Sequence, residues 1–344
     1  VVDITYAFRH LPVLMLTALA YLTAERDVKV RGVYYGAYEA RSGDRVPIFD
    51  LTPFLTLIDC YHAIRQFRET GDARRLAAYL KRLKGMLWKQ GVESEEFSAL
   101  VGPLARLSAT LVTPLPLEAG IHSRNCLRNL ESARQHVGPR DVIARSLLDA
   151  LEPMLVRFAL HESIGRKRDV PLDITELRRQ LHTIRFAIDA QAPDRALVLL
   201  REWIVSRCLL AENASAAWLE YSATRERMSR ALAAIKERIR VNRSSVSESQ
   251  TRLSALWDAI ATRRNKFAHA GMNADEEVNP EAESAKVSNF IAECEERCDD
   301  DSHWRTDFSA AESTLLVTPL GLSPGVLYTA LVASPADNVL ILSS

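Results

Sequence analysis

Arg264 and His269 stand near the end of a long helical pattern, in the run Arg263-Arg264-Asn265-Lys266-Phe267-Ala268-His269. A guanidinium presents a fixed fork of donors and an imidazole titrates near neutrality, so the pair suits proton transfer beside an anion. On a straight helix the two lie about 140° apart, which makes a poor acid–base pair within one helix. Two copies facing each other across a two-fold axis would make a better one. The plainer reading is a snorkelling Arg and a cap-region His, since cations are favoured at a helix C-terminus. Both readings stay open on these residues alone.

The element that must position them is legible upstream. Leu253, Leu256, Trp257 and Ile260 recur at three- and four-residue steps, which marks one buried helix face. Continuing that face brings Arg264 onto the apolar stripe between Ile260 and Phe267, where an uncompensated charge is costly. Gly271 supplies the C-terminal stop.

With 344 residues the chain has room for two or three domains with real cores. Hydrophobic residues make up 47% and the formal charge is zero, so contacts with nucleic acid must come from local basic patches. Sparse Gly and Pro beside abundant Leu, Ala, Arg and Glu predict a mainly helical protein. No apolar run approaches membrane-spanning length, and the stretch from Leu11 to Leu22 is too short and lacks a basic flank. No membrane partner is expected. Five scattered cysteines imply a reducing, cytoplasmic setting. Cys294, Cys298 and His303 are one ligand short of a structural zinc site, so they read as a surface helix end and no metal is expected.

At the N-terminus, Val1 to Tyr6 reads as a strand, Pro12 to Ala24 as an apolar helix, and Val28 to Tyr38 as a second strand. Val46-Pro47-Ile48-Phe49 reads as a third short strand. That rhythm predicts a parallel α/β sheet, with ligands beyond the strand ends near Thr5, Tyr6 and Arg9. The chain opens on a strand pattern and closes on an apolar run, so it is expected to be cut from something longer.

The run Asp3-Ile4-Thr5-Tyr6-Ala7-Phe8-Arg9-His10-Leu11-Pro12 resembles the signature of a CRISPR-associated family carrying Asp-x-Thr-His-Gly, then Phe-Arg and Pro. Val33-Tyr34-Tyr35-Gly36-Ala37, Pro47-Ile48-Phe49-Asp50-Leu51 and Phe67-Arg68-Glu69-Thr70-Gly71-Asp72 resemble its later blocks, in order, over residues 1 to about 80. Tyr6 and Ala7 depart from it, standing where the family has His and Gly. That family joins a CARF domain, a Rossmann-like sensor of cyclic oligoadenylate, to a helical HEPN domain. HEPN ribonucleases carry Arg, four to six residues, then His, often with Asn after the Arg, and Arg264-Asn265-Lys266-Phe267-Ala268-His269 is similar position by position.

Between Leu51 and about Val170 the pattern is helical throughout: Phe54 to Thr70, Ala73 to Leu87, Ser94 to Leu111, His122 to Gln135 and Val142 to His161. Gly165 to Asp169 reads as a basic linker. From Pro171 a fresh bundle is expected, with helices Ile174 to Asp189, Pro193 to Glu212, Ala214 to Val241, Val246 to Ala270 and Glu281 to Cys298. Arg195, Arg201, Arg207, Arg225, Arg227, Arg230, Lys236, Arg238, Arg240 and Arg243 make it basic, as either a solvated face or a single-stranded RNA groove. Asp299 to Ser313 reads as a linker. Thr314 to Val317, Val326 to Ala333 and Val339 to Leu342 read as strand, helix and strand, with Gly321 and Ser323 in an anion-friendly turn. These strands are expected to pair with Val1–Tyr6 and Val30–Tyr35.

The expected architecture is mostly α with an α/β part: a partial Rossmann-like CARF sheet plus a helical HEPN bundle. The resemblance divides it into residues 1–50 as the late part of a CARF sensor, 51–170 as a connector, 171–300 as a HEPN ribonuclease domain, and 313–344 as an opening CARF-like strand-helix-strand. It implies a homodimeric, metal-independent endoribonuclease acting on single-stranded RNA. Arg264, Asn265 and His269 would be catalytic, and cyclic oligoadenylate would bind near Asp3, Thr5, Tyr6, Arg9, Gly321 and Ser323. The cyclic ligand would be an allosteric activator and no cofactor is needed. Two other classes compete: a regulatory CARF protein with a structural HEPN pair, and a ring nuclease that degrades the cyclic ligand.

Overall fold

A capping box starts the helix that carries the Arg–His pair. The Ser247 hydroxyl accepts from the Gln250 N–H at 3.1 Å, and the Gln250 side chain accepts from the Ser247 N–H at 3.1 Å. This fixes the helix entry two orphan donors at a time. The computed structural model describes residues 2–3, 11–25, 28, 30–89, 95–137, 142–272, 277–307, 315–319 and 338–342.

In chain order the elements are β1 (Val2–Asp3), α1 (Leu11–Glu25), β2 (Val33–Gly36), β3 (Ile48–Asp50), α2 (Thr52–Thr70), α3 (Arg74–Lys89), α4 (Glu95–Val112), α5 (Pro116–His136) and α6 (Val142–Phe158). Then come α7 (Ile174–Asp189), α8 (Pro193–Ala211), α9 (Glu226–Val241), α10 (Glu248–Ala268), α11 (Pro280–Glu296), β4 (Leu315–Pro319) and β5 (Asn338–Leu342). The protein is mostly helical with a small α/β part, as its composition requires. No described helix is long and apolar enough to cross a membrane.

Two units emerge: Val1–Val112 with His122–Val156, and Thr113–Ile121 with Arg157–Ser344. In the first, β1 runs parallel to β2, with Val2 opposite Val33, while β3 runs antiparallel to β2, with Phe49 opposite Tyr35. The sheet is therefore mixed and not wholly parallel. The connection from Ala37 to Pro47 is too short to hold the crossover that a parallel neighbour requires. Leu19 of α1 packs with Val33 and Leu55. Phe67, Leu76, Tyr79, Leu80 and Leu107 are fully buried along α2, α3 and α4. Gly71 closes α2 in the left-handed region at φ 75°, where a side chain would be strained.

The core of the second unit is built from α7, α8, α9, α10 and α11 around Trp203, which is fully buried. Trp203 Nε1 donates to the Leu177 carbonyl at 2.9 Å and its ring meets Trp304 edge-on at 5.3 Å. Leu117, Leu160 and Val170 belong to the same core. Beside them Glu176 and Arg179 form a buried bidentate pair at 2.7 and 2.6 Å, and Arg179 also donates to the Phe158 carbonyl. Gly120 is required here, because a Cβ would stand 2.9 Å from an Arg179 nitrogen and from Leu160 Cγ.

Four sequence expectations change. α5 begins at Pro116 and not at His122, because a proline missing its N–H is well suited to a helix's first turn. The stretch from Ala214 to Val241 is not one helix. Asn213 turns left-handed at φ 55°, Trp218 Nε1 donates to the Val170 carbonyl, and a five-residue π turn (Tyr221–Arg225) precedes α9. The segment expected as a linker from Asp299 contains a 3₁₀ turn, Asp301–Trp304, that plugs the core. Cys294, Cys298 and His303 are accordingly buried and are no surface helix end.

β4 and β5 pair with each other, parallel and in full register from Leu315–Asn338 to Pro319–Leu342. Among the described residues no ladder joins β4 or β5 to β1 or β2, and residues 1 and 4–6 of the expected pairing lie outside the described residues. The helix expected at Val326 to Ala333 lies outside the described residues.

Candidate functional site

Along α10 the expected stripe is buried: Leu253 and Ile260 are fully enclosed, and Leu256 and Trp257 nearly so. Phe267 packs, half-buried, against the same core. The helix ends in a hydrogen-bonded double turn. The Gly271 N–H donates to the Lys266 carbonyl at 3.0 Å and the Ala270 N–H to the Phe267 carbonyl at 2.9 Å. This is a Schellman ending, in which the residue after the cap turns left-handed. Here that residue is Ala270, at φ 53°, followed by Gly271 at φ 66°. The stop expected at Gly271 thus begins one residue earlier, on a residue with a Cβ, at a local cost of about 1–2 kcal/mol. His269 is the cap itself, at φ −89° and ψ 13°, and is exposed.

A small cleft of about 180 Å³ opens at this end, lined by Thr262, Asn265, Lys266 and His269 of α10 and by Met272 and Val278 beyond it. Residues 262, 265, 266 and 269 share a helix face by their three- and four-residue spacing. Arg264 lies around the helix from that face. It is half-buried, Nη2 donates to Asn265 Oδ1 at 2.8 Å, and Nε is buried without a hydrogen-bond partner among the described residues. The structure therefore brings Asn265 and His269 to one cleft and ties Arg264 to it through the Asn265 carboxamide. The lining of the cleft is mostly apolar, but it holds an imidazole, an amide and a lysine, groups that suit a phosphodiester.

Sequence reading missed a neighbouring contact between α10 and α11. Glu283, in the first turn of α11, is 5% exposed, and its Oε2 lies 3.2 Å from Arg263 Nε. Its Oε1 accepts from Lys286 Nζ at 2.9 Å. The Arg263 guanidinium also stacks over Phe290 at 5.2 Å and donates to the Ala259 carbonyl. No spacing in the sequence links residue 263 to residue 283, because the connection between two helices decides it.

Of the expected ligand-binding residues, Asp3 lies in β1, paired with Tyr34, whereas Thr5, Tyr6, Arg9, Gly321 and Ser323 fall outside the described residues. The basic residues of the bundle are extensively compensated. Arg201 and Arg225 converge on Glu202, Arg230 pairs with Glu226, Lys236 with Asp258, Arg238 with Asp307 and Arg240 with Glu237. Burial would push the Glu202 carboxyl up, but Arg225 and Arg201 hold it below its ordinary value. Arg207 is fully buried.

A second, wider cleft of about 750 Å³ is rimmed by Asp299, Asp300, Asp301 and Asp307 with Ser247 and Gln250. Its acidic rim repels a polyanion, so the smaller α10 cleft is the better candidate for phosphate chemistry. Among the described residues no three His, Cys, Asp or Glu side chains converge in a metal-binding group. Burial pushes the Cys60 thiol up to about 11 and the Cys126 thiol to about 12, and raises Cys294 well above its ordinary value, so these thiols are unreactive.

No protein-family model matches the chain. Over 80 residues, 23% of this chain, it is 28% identical to CRISPR-associated protein MJ1674 of Methanocaldococcus jannaschii. That match spans 13% of the relative's length. The chain thus has a partial likeness to a CRISPR-associated protein.

Proposed function

We propose that this chain belongs to a CRISPR-associated CARF–HEPN endoribonuclease that cuts single-stranded RNA without metal and is switched on by cyclic oligoadenylate. The observation that carries this reading is the cleft at the end of α10, where His269 and Asn265 face one space and Arg264 is bonded to Asn265. RNA supplies its own nucleophile, so the site has little covalent chemistry to perform. The 2′-OH attacks the adjacent phosphorus as its proton passes to a base. The 5′-oxygen leaves as it gains a proton from an acid, giving a 2′,3′-cyclic phosphate and a 5′-hydroxyl.

His269 moves the proton, Arg264 neutralises the charge that builds on the phosphoryl oxygens, and Asn265 orients the two. One α10 offers a single imidazole, whereas the reaction calls for a base and an acid. Two copies across a two-fold axis supply both, which is the reason to expect a homodimer. Cyclic oligoadenylate would act by favouring one arrangement of that dimer.

The test is RNA cleavage in EDTA, with and without cyclic oligoadenylates, using the parent protein and its Arg264→Ala and His269→Ala variants. Activity that depends on the cyclic ligand and vanishes in both variants is expected. Undiminished cleavage by both variants rejects the assignment. A regulatory protein with a silent HEPN pair is favoured instead if the folded dimer binds RNA and the cyclic ligand but never cuts.

A further inference from the structure

The chain carries a local backbone cost just beyond the last turn of α10. Ala270 and Gly271 are both left-handed, at φ 53° and 66°, and only the second is free of a side-chain penalty. α11 packs mainly on α7 and α8, and its contact with α10 is sparse. Within that sparse contact sits a buried charge pair. Glu283, 5% exposed, faces Arg263, and the residue after Arg263 is Arg264.

The surroundings make Glu283 fit to anchor a cation. It lies in the first turn of α11, capped by Asn279 with Pro280 next, where the helix dipole favours an anion. Lys286 occupies one carboxylate oxygen at 2.9 Å. The other, Oε2, is buried and lies 3.2 Å from Arg263 Nε, an atom that is also buried. These two atoms are close but misaligned for a hydrogen bond, so the attraction between them is largely one of charge. Arg263 is held on its far side by the Phe290 ring and along its stem by the Ala259 carbonyl. On the same flank Val278, which leads into α11, stands 3.6 Å from where a Gly271 Cβ would be, and both residues line the cleft.

We propose that Glu283 is a positioning residue for this site: through Arg263 it fixes the rotation of the last turn of α10 and so sets where Arg264, Asn265 and His269 point. This rests on the ribonuclease reading above for its consequence in activity, but not for its consequence in geometry. Arg263 and Arg264 are neighbours about 100° apart on the helix, so clamping the first against α11 leaves the second facing away from it. Releasing the clamp frees the last turn of α10 to rotate, and His269, as the cap, moves with it. Glu283 itself touches no substrate.

The experiment uses the parent protein and three variants, Glu283→Gln, Arg263→Gln and the double variant, with cyclic oligoadenylate added for the cleavage assay. The amide keeps the shape of the acid, and circular dichroism confirms folding before any comparison. The first readout is the imidazole C–H resonance of His269 followed by NMR through a pH titration, assigned with His269→Gln. The second is RNA cleavage, resolved into kcat and KM. Each single variant is expected to shift and broaden the His269 resonance, and to lower kcat by roughly 10²-fold, the scale of a small misplacement of a reacting group. KM is expected to stay within about twofold, since uniform binding is untouched.

The double variant is expected to be no worse than either single one, because the two groups act as one unit. A His269 resonance and titration in Glu283→Gln that match wild type overturn the proposal, as do fully additive losses in the double variant. If the wild-type parent protein does not cut RNA with cyclic oligoadenylate present, the ribonuclease reading fails while the NMR comparison still decides the role of Glu283.

Discussion

Two sites of the second unit each set an arginine near a histidine, and they are treated in opposite ways. At one, Arg207 is fully enclosed, donates to the Cys298 carbonyl and to Asp301 at 2.6 Å each, and lies near the Trp304 ring. His303 beside it is 2% exposed and stacks edge-on against Trp304. At the other, Arg264 is half-buried with its neighbour's amide as partner, and His269 is in the open on a helix cap. The buried arginine is committed to main-chain and carboxylate partners that hold a segment in place. The arginine of α10 keeps donors that nothing in its own helix uses. Residue type is the same in both; full burial and partners from a distant segment separate a structural cation from one that reaches the surface.

Substitution at each site breaks the comparison differently. Removing the α10 groups has the largest expected effect: His269→Ala or Arg264→Ala lowers RNA cleavage by ~10²–10⁴-fold, with a denaturation midpoint close to wild type. An equal loss of stability in these variants would erase the distinction. Next in size is Arg207→Ala, which removes two short hydrogen bonds and a buried volume and costs about 3 kcal/mol of stability, read from urea unfolding. A change below about 0.5 kcal/mol, as at an ordinary surface site, would show that the enclosed arginine is dispensable.

A smaller effect comes from pH. Burial, aided by nearby Arg297, pushes the His303 imidazole below its ordinary value of 6.5. The unfolded chain then binds the proton more readily than the folded one, so stability is full above pH 6.5 and declines as the pH falls below it. Urea midpoints at pH 7.5 and 5.5 are expected to differ in that sense, and His303→Phe to reduce the difference. A midpoint that rises on acidification would contradict the buried neutral imidazole. The smallest effect sharpens the other site: Ala270→Gly removes the penalty for a left-handed Cβ and gains about 1 kcal/mol. A loss of stability instead would mean that Ala270 is not left-handed in solution.

The two sites also differ in how far sequence could reach. The stripe Leu253, Leu256, Trp257 and Ile260 announces α10, and Arg264 on its continuation is half-buried as that reading requires. The shared face of Asn265 and His269 comes from helical spacing. The Arg207 site was hidden because its partners come from a stretch of aspartates that reads as solvated, and a single Trp304 within it carries no periodicity. Glu283 was hidden for a related reason, since a contact across a connection leaves no local pattern. Pro116 is ambiguous because proline ends some helices and starts others, and only the residues after it decide. The C-terminal strands were recognisable as strands, but an apolar run does not specify which other apolar run it will join.

The segment from Asp299 to Asp307 has a consequence for how the bundle assembles. Asp301 meets Arg207 across 94 residues of chain, and Thr306 reaches Glu212 across another 94. Asp307 then receives Gln250 and Arg238, joining α10 and α9 to the same strap. Neighbouring helices can dock early through local contacts, but the bundle's central tryptophan pair closes only after α11 and this strap have left the ribosome. Loop closure of that length adds little to the final free energy and much to the search time. Until then Arg207 lacks its Asp301 and Cys298 partners, so an otherwise local, helical fold waits on contacts 94 residues apart.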